Sequence, residues 1–294
     1  MRIHESSEKA CREVEVARAD RENSSGASRS MEGASLSNRE AGDAVSLQSI
    51  AENAHNETKS DVLEQYEGNI PNHRREFLES PSTSERLRVL SSENYTNQFP
   101  ENGPLVLGHC DPDGNIYIKA TSESAVSHVS THETMHLCSN RESGLNEKGN
   151  WSIKSGLREI EISPNRSVVS DTGRGINEGA TELYTLRELN RRGESEAARA
   201  FDSYPQSREW AERLEQLVGE EHLADGYFGG KKEALEQEFN QLDTESQNGW
   251  KAFEKNVDIV EYSSDAEEIQ RAQRALAEQY FRMILEKDLR GEGE

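Results

Sequence analysis

The pattern of apolar and polar residues changes twice along the chain. Up to about residue 74, single apolar residues are scattered among Ser, Glu, Asn, Arg and Gly, and Tyr66 is the only aromatic residue. Such a segment cannot bury enough apolar surface to offset the entropy lost on ordering it. We therefore predict a mostly disordered leader over residues 1–74, with a transient helix around Ser60–Tyr66.

Ordered structure is expected from about Arg75, and its first clear pattern is a hairpin. The apolar runs Leu105–Leu107 and Ile116–Ile118 flank Asp111–Gly114, whose Pro-Asp-Gly sequence favours a turn. Two short strands joined by a tight turn are therefore predicted here.

After the hairpin, the pattern changes to the period of a helix. Thr121–Ser124 offers hydroxyl side chains that can cap the first turn, together with an acidic residue that suits a helix N-terminus. Four residues then recur on one helical face at three- and four-residue spacing: Ala125, Val129, His132 and His136.

Strand candidates and a second helix follow. The apolar runs Trp151–Ile153, Leu157–Ile162 and Val168–Val169 are separated by Ser-Gly and Pro-Asn sequences that favour turns. Asn177 is a suitable N-cap for a helix over Glu178–Asn190.

From Glu194 to the end, the pattern is helical. Two amphipathic stripes are predicted to be core: Trp210, Leu214 and Leu217, and Ile269, Ala272, Leu276, Tyr280, Met283 and Ile284. The predicted fold class is α+β, with small β-sheets and hairpins over 75–192 and a helical C-terminal subdomain over 193–290.

Composition restricts the partners. Of 294 residues, 32% are hydrophobic, and the formal net charge is −22 with a pI near 4.9. Because such a surface repels phosphates, we expect no nucleic-acid or anionic-membrane partner. No apolar run is long enough for a membrane span, and the first residues lack the apolar stretch of a secretory signal.

The cysteines indicate the compartment of synthesis. Cys11, Cys110 and Cys138 are odd in number and lack paired spacing, which favours neither a disulfide framework nor a thiolate metal site. We expect synthesis in a reducing, cytoplasmic compartment. Export would require a specialised non-classical secretion system, and the leader is either a secretion or chaperone-binding signal or an unselected tail.

The helical stretch His132–His136 carries the strongest chemical signal. Because side chains four apart on a helix lie one above the other, His132 and His136 can direct imidazole nitrogens at one metal ion. Glu133 leaves the same turn and can reach a water on that ion, which is the place of a general base. A histidine pair that fills a half-buried core face is the alternative interpretation.

Glu178 is the preferred third ligand. It lies four residues before Glu182 on one helical face, and Gly179 between them allows another backbone to approach closely. Glu182 can then accept the ring N–H of a liganding histidine. Both glutamates are also ordinary in the first turns of a helix.

Two other residues are weaker candidates. Glu142 lies six residues after His136, at the spacing where metzincins place a histidine, but Ser139 stands where that family needs a glycine. His128 lies one turn before His132 and can approach the site, although a core or solvated histidine is commoner.

The motif HExxH at His132–His136, followed by Asn-Glu-Gly-x-Thr-Glu at Asn177–Glu182, resembles the gluzincin group of zinc metallopeptidases, which includes thermolysin-like members. The segment Leu217–Gly230 is also similar, so the likeness covers roughly Pro104–Phe239. The linker between the motif helices is longer than in thermolysin, which implies an inserted hairpin.

The resemblance implies a zincin-like fold and a bound Zn²⁺. It makes His132, His136 and Glu178 the metal ligands, Glu133 the catalytic base and Glu182 the hydrogen-bond partner of a ligand. The expected activity is endopeptidase hydrolysis of a protein or peptide substrate. A narrower form of this hypothesis is that the enzyme is a bacterial effector or toxin protease. The alternative function is that of a non-catalytic zincin-like binding protein.

Stabilisation of the oxyanion is the remaining chemical role. Tyr184, Tyr227 and His222 are candidates, since a preorganised phenol or imidazole can donate a hydrogen bond to a tetrahedral intermediate. Tyr184, which follows the third-ligand segment, is taken as the candidate catalytic residue. Buried aromatic residues with no catalytic role are the alternative.

Overall fold

The computed structural model describes residues 40–103, 106–111, 113–201, 203–246 and 248–291. This part of the chain is a mixed α+β structure with small sheets, which confirms the predicted fold class at that level. The part of the predicted leader before residue 40 lies outside the described residues. None of the helices in the described ranges is both long and apolar enough to cross a bilayer.

Helices and strands are interspersed up to residue 172, and in the described residues after it the regular elements are all helices. The strands are β1 (Leu87–Leu90), β2 (Gly108–Cys110), β3 (Ile116–Lys119), β4 (Arg141–Leu145), β5 (Trp151–Ser155), β6 (Arg158–Ile162) and β7 (Val168–Thr172). The helices are α1 (Glu40–Gln65), α2 (Asn72–Glu79), α3 (Ser92–Gln98), α4 (Glu123–Cys138), α5 (Arg174–Arg191), α6 (Ser195–Ala200), α7 (Pro205–Val218), α8 (Glu220–Tyr227), α9 (Lys232–Leu242), α10 (Gly249–Tyr262) and α11 (Ala266–Leu289).

The chain forms two compact units, and each is assembled from separate segments. Among the residues that the structure describes, the first comprises those in 40–62, 76–137 and 188–201. The second comprises Leu63–Arg75, Cys138–Arg187 and the described residues from 203 to 291. The segment boundaries expected at 74/75 and 192/193 stay predictions.

The first unit contains a three-stranded sheet in the order β1-β3-β2. β1 runs parallel to β3, and β2 pairs antiparallel with it, with Gly108 opposite Ile118. The Asp111 side chain closes the turn by accepting the backbone N–H of Asn115 at 2.7 Å. The predicted hairpin is confirmed, but its first strand begins at Gly108, after Val106 and Leu107, and Leu105 lies outside the described residues.

Helix α1 corrects the prediction of a disordered leader for residues 40–65. Its buried positions recur on one face and include Ala51, His55 and Val62. The Gln48 side chain reaches the sheet, where its amide accepts the N–H of Val89 at 2.8 Å and donates to the carbonyl of Leu87 at 3.2 Å. The sequence indicated only a transient helix around Ser60–Tyr66, because small and polar residues occupy much of the buried face.

Polar contacts hold α1 against α4. Ser130 on α4 donates its hydroxyl to the carbonyl of Ala51 at 2.7 Å, and the Nδ1 atom of His55 lies 2.8 Å from the Thr134 hydroxyl. The guanidinium of Arg192 bonds one hydroxyl on each helix: Thr58 on α1 and Thr131 on α4. These bonds satisfy buried polar groups that would otherwise be costly to bury.

The second unit contains a four-stranded antiparallel sheet in the order β4-β5-β6-β7. The three strands predicted between Trp151 and Val169 are confirmed as β5, β6 and β7, and Ile160 and Ile162 bury one face of the sheet. β4, with the sequence Arg-Glu-Ser-Gly-Leu, was not predicted because its residues are largely polar and exposed.

The remaining helices confirm the helical pattern predicted after Glu194. Trp210, Leu214 and Leu217 of α7 are buried, as are Ala272, Leu276 and Met283 of α11, while Ile269, Tyr280 and Ile284 are only half-buried. The second motif helix, α5, begins at Arg174 and therefore includes Asn177 in its first turn. The predicted N-cap role of Asn177 is wrong, and the residue has another function.

Candidate metal centre

The two histidines of the first motif lie on adjacent turns of α4. The rings of His132 and His136 are separated by 4.9 Å between centroids and are inclined at 78° to each other. His132 is buried and His136 is half-buried. This is the arrangement expected for helix residues four apart, with both imidazoles on one side of the helix.

The carboxylate of Glu178 completes a group with these two imidazoles. One nitrogen from each histidine and one oxygen from Glu178 all lie within 4.8 Å of one another. Among the described residues, no other set of three or more His, Cys, Asp or Glu side chains could hold a metal ion. The third ligand predicted 42 positions after His136 in the sequence is therefore the carboxylate that joins the group.

The chemistry of the donors fits a transition metal. Two imidazole nitrogens and one carboxylate oxygen form a set that suits zinc and related divalent ions better than Ca²⁺ or Mg²⁺, which prefer oxygen ligands. Three protein ligands leave one coordination position for water or substrate, as catalytic zinc sites require. A buried group of His132, His136 and Glu178 can thus hold a metal ion.

Glu133 lies beside the first ligand, and strand β2 passes next to it. Its side chain is buried. A Cβ atom at Gly108 of β2 would lie 3.4 Å from Cγ of Glu133 and only 2.5 Å from Cγ1 of Val129. Position 108 is therefore restricted to glycine by the close packing of β2 on α4, which brings an edge strand to the candidate base.

Asn177 connects the first turn of α5 to the β5–β6 turn. Its side-chain oxygen accepts the backbone N–H of Leu157 at 3.0 Å, and both residues are buried. The residue before Glu178 is thus fixed by a buried hydrogen bond to the adjacent sheet. A polar side chain in this position is required because the Leu157 N–H would otherwise be buried without an acceptor.

Tyr227 is fixed against the next turn of α5. Thr181 donates its hydroxyl to the carbonyl of Asn177 at 2.8 Å, so the Tyr227 hydroxyl, 2.7 Å from Thr181, is the donor in the bond between them. Burial raises the pKa of Tyr227 well above its ordinary value, the Thr181 bond opposes the shift, and the Glu178 charge adds to it. The Tyr227 proton is therefore directed at Thr181, which does not favour an oxyanion role.

Tyr184 lies in an aromatic cluster. Its ring is 5.5 Å from Tyr66, 5.3 Å from Tyr227 and 4.9 Å from Phe228, measured between centroids, and burial raises its pKa well above the ordinary value. Six residues along a helix correspond to a rotation of roughly 240°, so Tyr184 is on a different side of α5 from Glu178. Its position gives the predicted oxyanion role no support.

The remaining candidates, Glu142, His128 and His222, are not part of the metal group. Glu142 is an exposed residue of β4 that accepts a hydrogen bond from Asn140 at 3.1 Å, and it is not part of the metal group. His128 is buried with Nδ1 3.0 Å from the carbonyl of Ala197, which is the core role. His222 is exposed and its Nδ1 lies 2.8 Å from the carbonyl of Val218.

Glu182 is fully buried one turn after Glu178 on α5. Its place on the same helical face is the one required of a residue that orients a metal ligand. The hydrogen bond that a liganding histidine would donate to the Glu182 carboxylate stays a prediction.

Comparisons of the chain with family models, with curated proteins and with solved structures find no match. The resemblance to gluzincins therefore stays an expectation from the two sequence motifs.

Proposed function

We propose that this protein is a zinc-dependent endopeptidase of zincin-like fold, in which His132, His136 and Glu178 hold the metal. The observation that carries the proposal is the convergence of these three donors, which come from sequence segments 42 residues apart, within 4.8 Å.

Glu133 is the residue that distinguishes a catalytic site from a structural one. A structural zinc site is closed by four protein ligands, whereas the group here has three, and the buried Glu133 directly follows the first of them in the sequence. A carboxylate at this place can accept a proton from the attacking water and donate it to the leaving amine.

A zinc ion in this site would supply Lewis acidity, which lowers the pKa of a bound water and polarises the scissile carbonyl. The proton transfers are carried out by a residue of the chain. Glu133 accepts the proton as the water attacks the carbonyl carbon, and it returns that proton to the amide nitrogen as the C–N bond breaks. The carboxylic acid and amine products then leave, and Glu133 is back in its initial protonation state.

Strand β2 supports a polypeptide as the substrate. β2 is at the edge of its sheet, and its Gly108 packs next to the Glu133 side chain. An extended peptide can add to such an edge through main-chain hydrogen bonds, which would bring its carbonyl groups past the base. Recognition through the backbone suits an endopeptidase better than an enzyme for small molecules.

The test is peptide hydrolysis by the zinc-loaded protein and by the Glu133→Gln variant. The substitution keeps the shape of the side chain and leaves all three proposed ligands in place, so zinc content should be unchanged. Activity should fall by roughly 10²- to 10⁴-fold, the range for loss of a general acid-base residue.

A matched control is Glu123→Gln, which makes the same change at an exposed position in the first turn of α4. It should keep wild-type activity. Full activity in Glu133→Gln would refute the proposed mechanism, and stoichiometric zinc without turnover of any peptide in the wild type would favour the non-catalytic binding protein.

A further inference from the structure

The N-terminus of α5 lies in close contact with α10. The backbone N–H of Gly175 donates to the Oδ1 atom of Asp258 at 2.5 Å. A Cβ atom at position 175 would lie 3.0 Å from that oxygen and 3.1 Å from the backbone carbon of Val257. The glycine therefore allows α10 to approach closely enough for its carboxylate to cap the helix that carries Glu178.

A second acid of α10 holds the neighbouring helix. Glu261, three residues after Asp258, accepts the backbone N–H of Ser207 at 3.2 Å and its hydroxyl at 2.8 Å, at the start of α7. The Ser207 backbone in turn packs on Gly179 of α5, where a Cβ atom would lie 2.2 Å from the Ser207 oxygen. One face of α10 thus fixes the first turns of α5 and α7. Helix α5 is held at Gly175, before Glu178, and at Gly179, after it.

We propose that Asp258 is a positioning residue for the metal ligand Glu178. The inference rests on the proposed metal site and adds a residue that the two motifs do not contain. Gly175, which Asp258 holds, precedes Glu178 by three residues in the same first turns of α5. A carboxylate at a helix N-terminus stabilises the helix end through a charge-assisted hydrogen bond and through the helix dipole.

The surroundings of Asp258 allow its charge to be switched with pH. Burial is the main cause that raises the pKa of Asp258 to about 6, and the Gly175 N–H opposes the shift. Asp171 of β7 and Glu254 of α10 raise the pKa further, while Arg174 lowers it. Two of these neighbours are themselves paired: Asp171 with Arg158 at 2.8 Å, and Glu254 with Lys232 at 2.6 Å.

Zinc titration of the full-length chain tests this role. Metal is removed with a chelator, and zinc is then titrated against a competing chromophoric chelator from pH 5.5 to 8 for wild type, Asp258→Asn and Asp258→Ala. The matched control is Asp265→Asn, because Asp265 also caps a helix, accepting the N–H of Glu267 at 2.9 Å at the start of α11.

The ratio of each variant's Kd to the wild-type Kd cancels the titration of the histidine ligands. For Asp258→Asn we expect a ratio near one at pH 5.5 that rises to about two- to five-fold at pH 8, where the wild-type carboxylate is ionised. Asp258→Ala should weaken binding by about tenfold, since it also removes the acceptor of the Gly175 N–H. Asp265→Asn should give a ratio near one throughout.

A ratio for Asp258→Asn that does not change with pH would overturn the inference, as would wild-type zinc affinity in Asp258→Ala. If Asp258→Ala does not fold, the pH profile of Asp258→Asn decides alone, because the amide keeps the shape and the acceptor. If the wild type itself binds no zinc, the proposed function fails and the positioning role fails with it.

Discussion

Gly179 and Ser207 are in direct backbone contact. A Cβ atom at position 179 would lie 2.2 Å from the carbonyl oxygen of Ser207, a distance that real Cβ atoms do not adopt. The residue that follows the proposed ligand Glu178 is therefore a glycine because α7 packs on α5 at this point. We therefore expect the proposed metal site to depend on this helix contact as well as on its three donors.

The substitution Gly179→Ala should separate α5 from α7 and displace Glu178. The obstacle is backbone, which cannot rotate away, so we expect a loss of about 1–3 kcal/mol in the free energy of unfolding, as for other overpacked sites. We also expect weaker zinc binding. Denaturant unfolding and zinc titration of the variant measure the two effects.

Gly144→Ala is the control for this experiment. Gly144 lies in β4, has ordinary backbone geometry, and a Cβ atom there meets no other atom within 4 Å. Stability and zinc affinity should stay close to wild type. Equal effects of the two substitutions would show that the contact with Ser207 is not what requires glycine at position 179.

The substitution Asn177→Ala should weaken the first turn of α5. It leaves the buried N–H of Leu157 without its acceptor at 3.0 Å, which costs about 1–3 kcal/mol. Asn165→Ala, in the exposed β6–β7 turn, removes only local hydrogen bonds and should cost less. Chemical denaturation compares the two, and an equal or smaller loss for Asn177→Ala would contradict the role assigned to it.

His55 should make stability depend on pH in the acid range. Thr134 donates its hydroxyl to the Ser130 carbonyl at 2.6 Å, so the Nδ1–H of neutral His55 is the donor to Thr134. Burial, followed by the Lys59 charge, lowers the pKa of His55 from 6.5 to about 4, although a backbone contact with Thr83 opposes this shift.

The direction in which stability changes with pH follows from this lowered pKa. The unfolded chain binds the His55 proton more tightly than the folded chain, so stability is full above pH 6.5 and declines as the pH falls towards about 4. The loss in the free energy of unfolding should reach about 3 kcal/mol. Urea unfolding between pH 4 and 7 measures it.

His55→Asn keeps a donor for Thr134 but does not titrate in this range, so its acid decline should be shallower than that of the wild type. The control His222→Asn, at an exposed histidine, should keep the wild-type decline. Parallel pH profiles for wild type and His55→Asn would show that His55 is not the group responsible.

Much of the site could be predicted because its chemistry is local in sequence. The spacing of His132 and His136 fixes their common helical face, and the position of Gly179 between Glu178 and Glu182 indicated a close backbone approach, which the contact with Ser207 confirms. The strands from β5 to β7 were predicted for the same reason, since apolar runs between turn residues are a local signal.

The rest depends on contacts distant in sequence. Helix α1 buries small and polar residues, so its pattern resembled a disordered segment, and its partners on α4 are tens of residues away. Asp258 is 83 residues from Gly175, and no motif surrounds it. Tyr184 was selected for its nearness in sequence to Glu178, but it lies on a different side of the helix, where its ring packs in an aromatic cluster.

The central claim is that Glu178 completes a metal site with His132 and His136. Its most direct test is the zinc content of the purified chain, measured by native mass spectrometry and elemental analysis, for wild type, Glu178→Ala and Glu142→Ala. Glu142, the rival candidate from the sequence, is the matched control. We predict one zinc ion per chain in wild type and Glu142→Ala, and its loss in Glu178→Ala. Wild-type zinc content in Glu178→Ala, or none in the wild type, would contradict the claim.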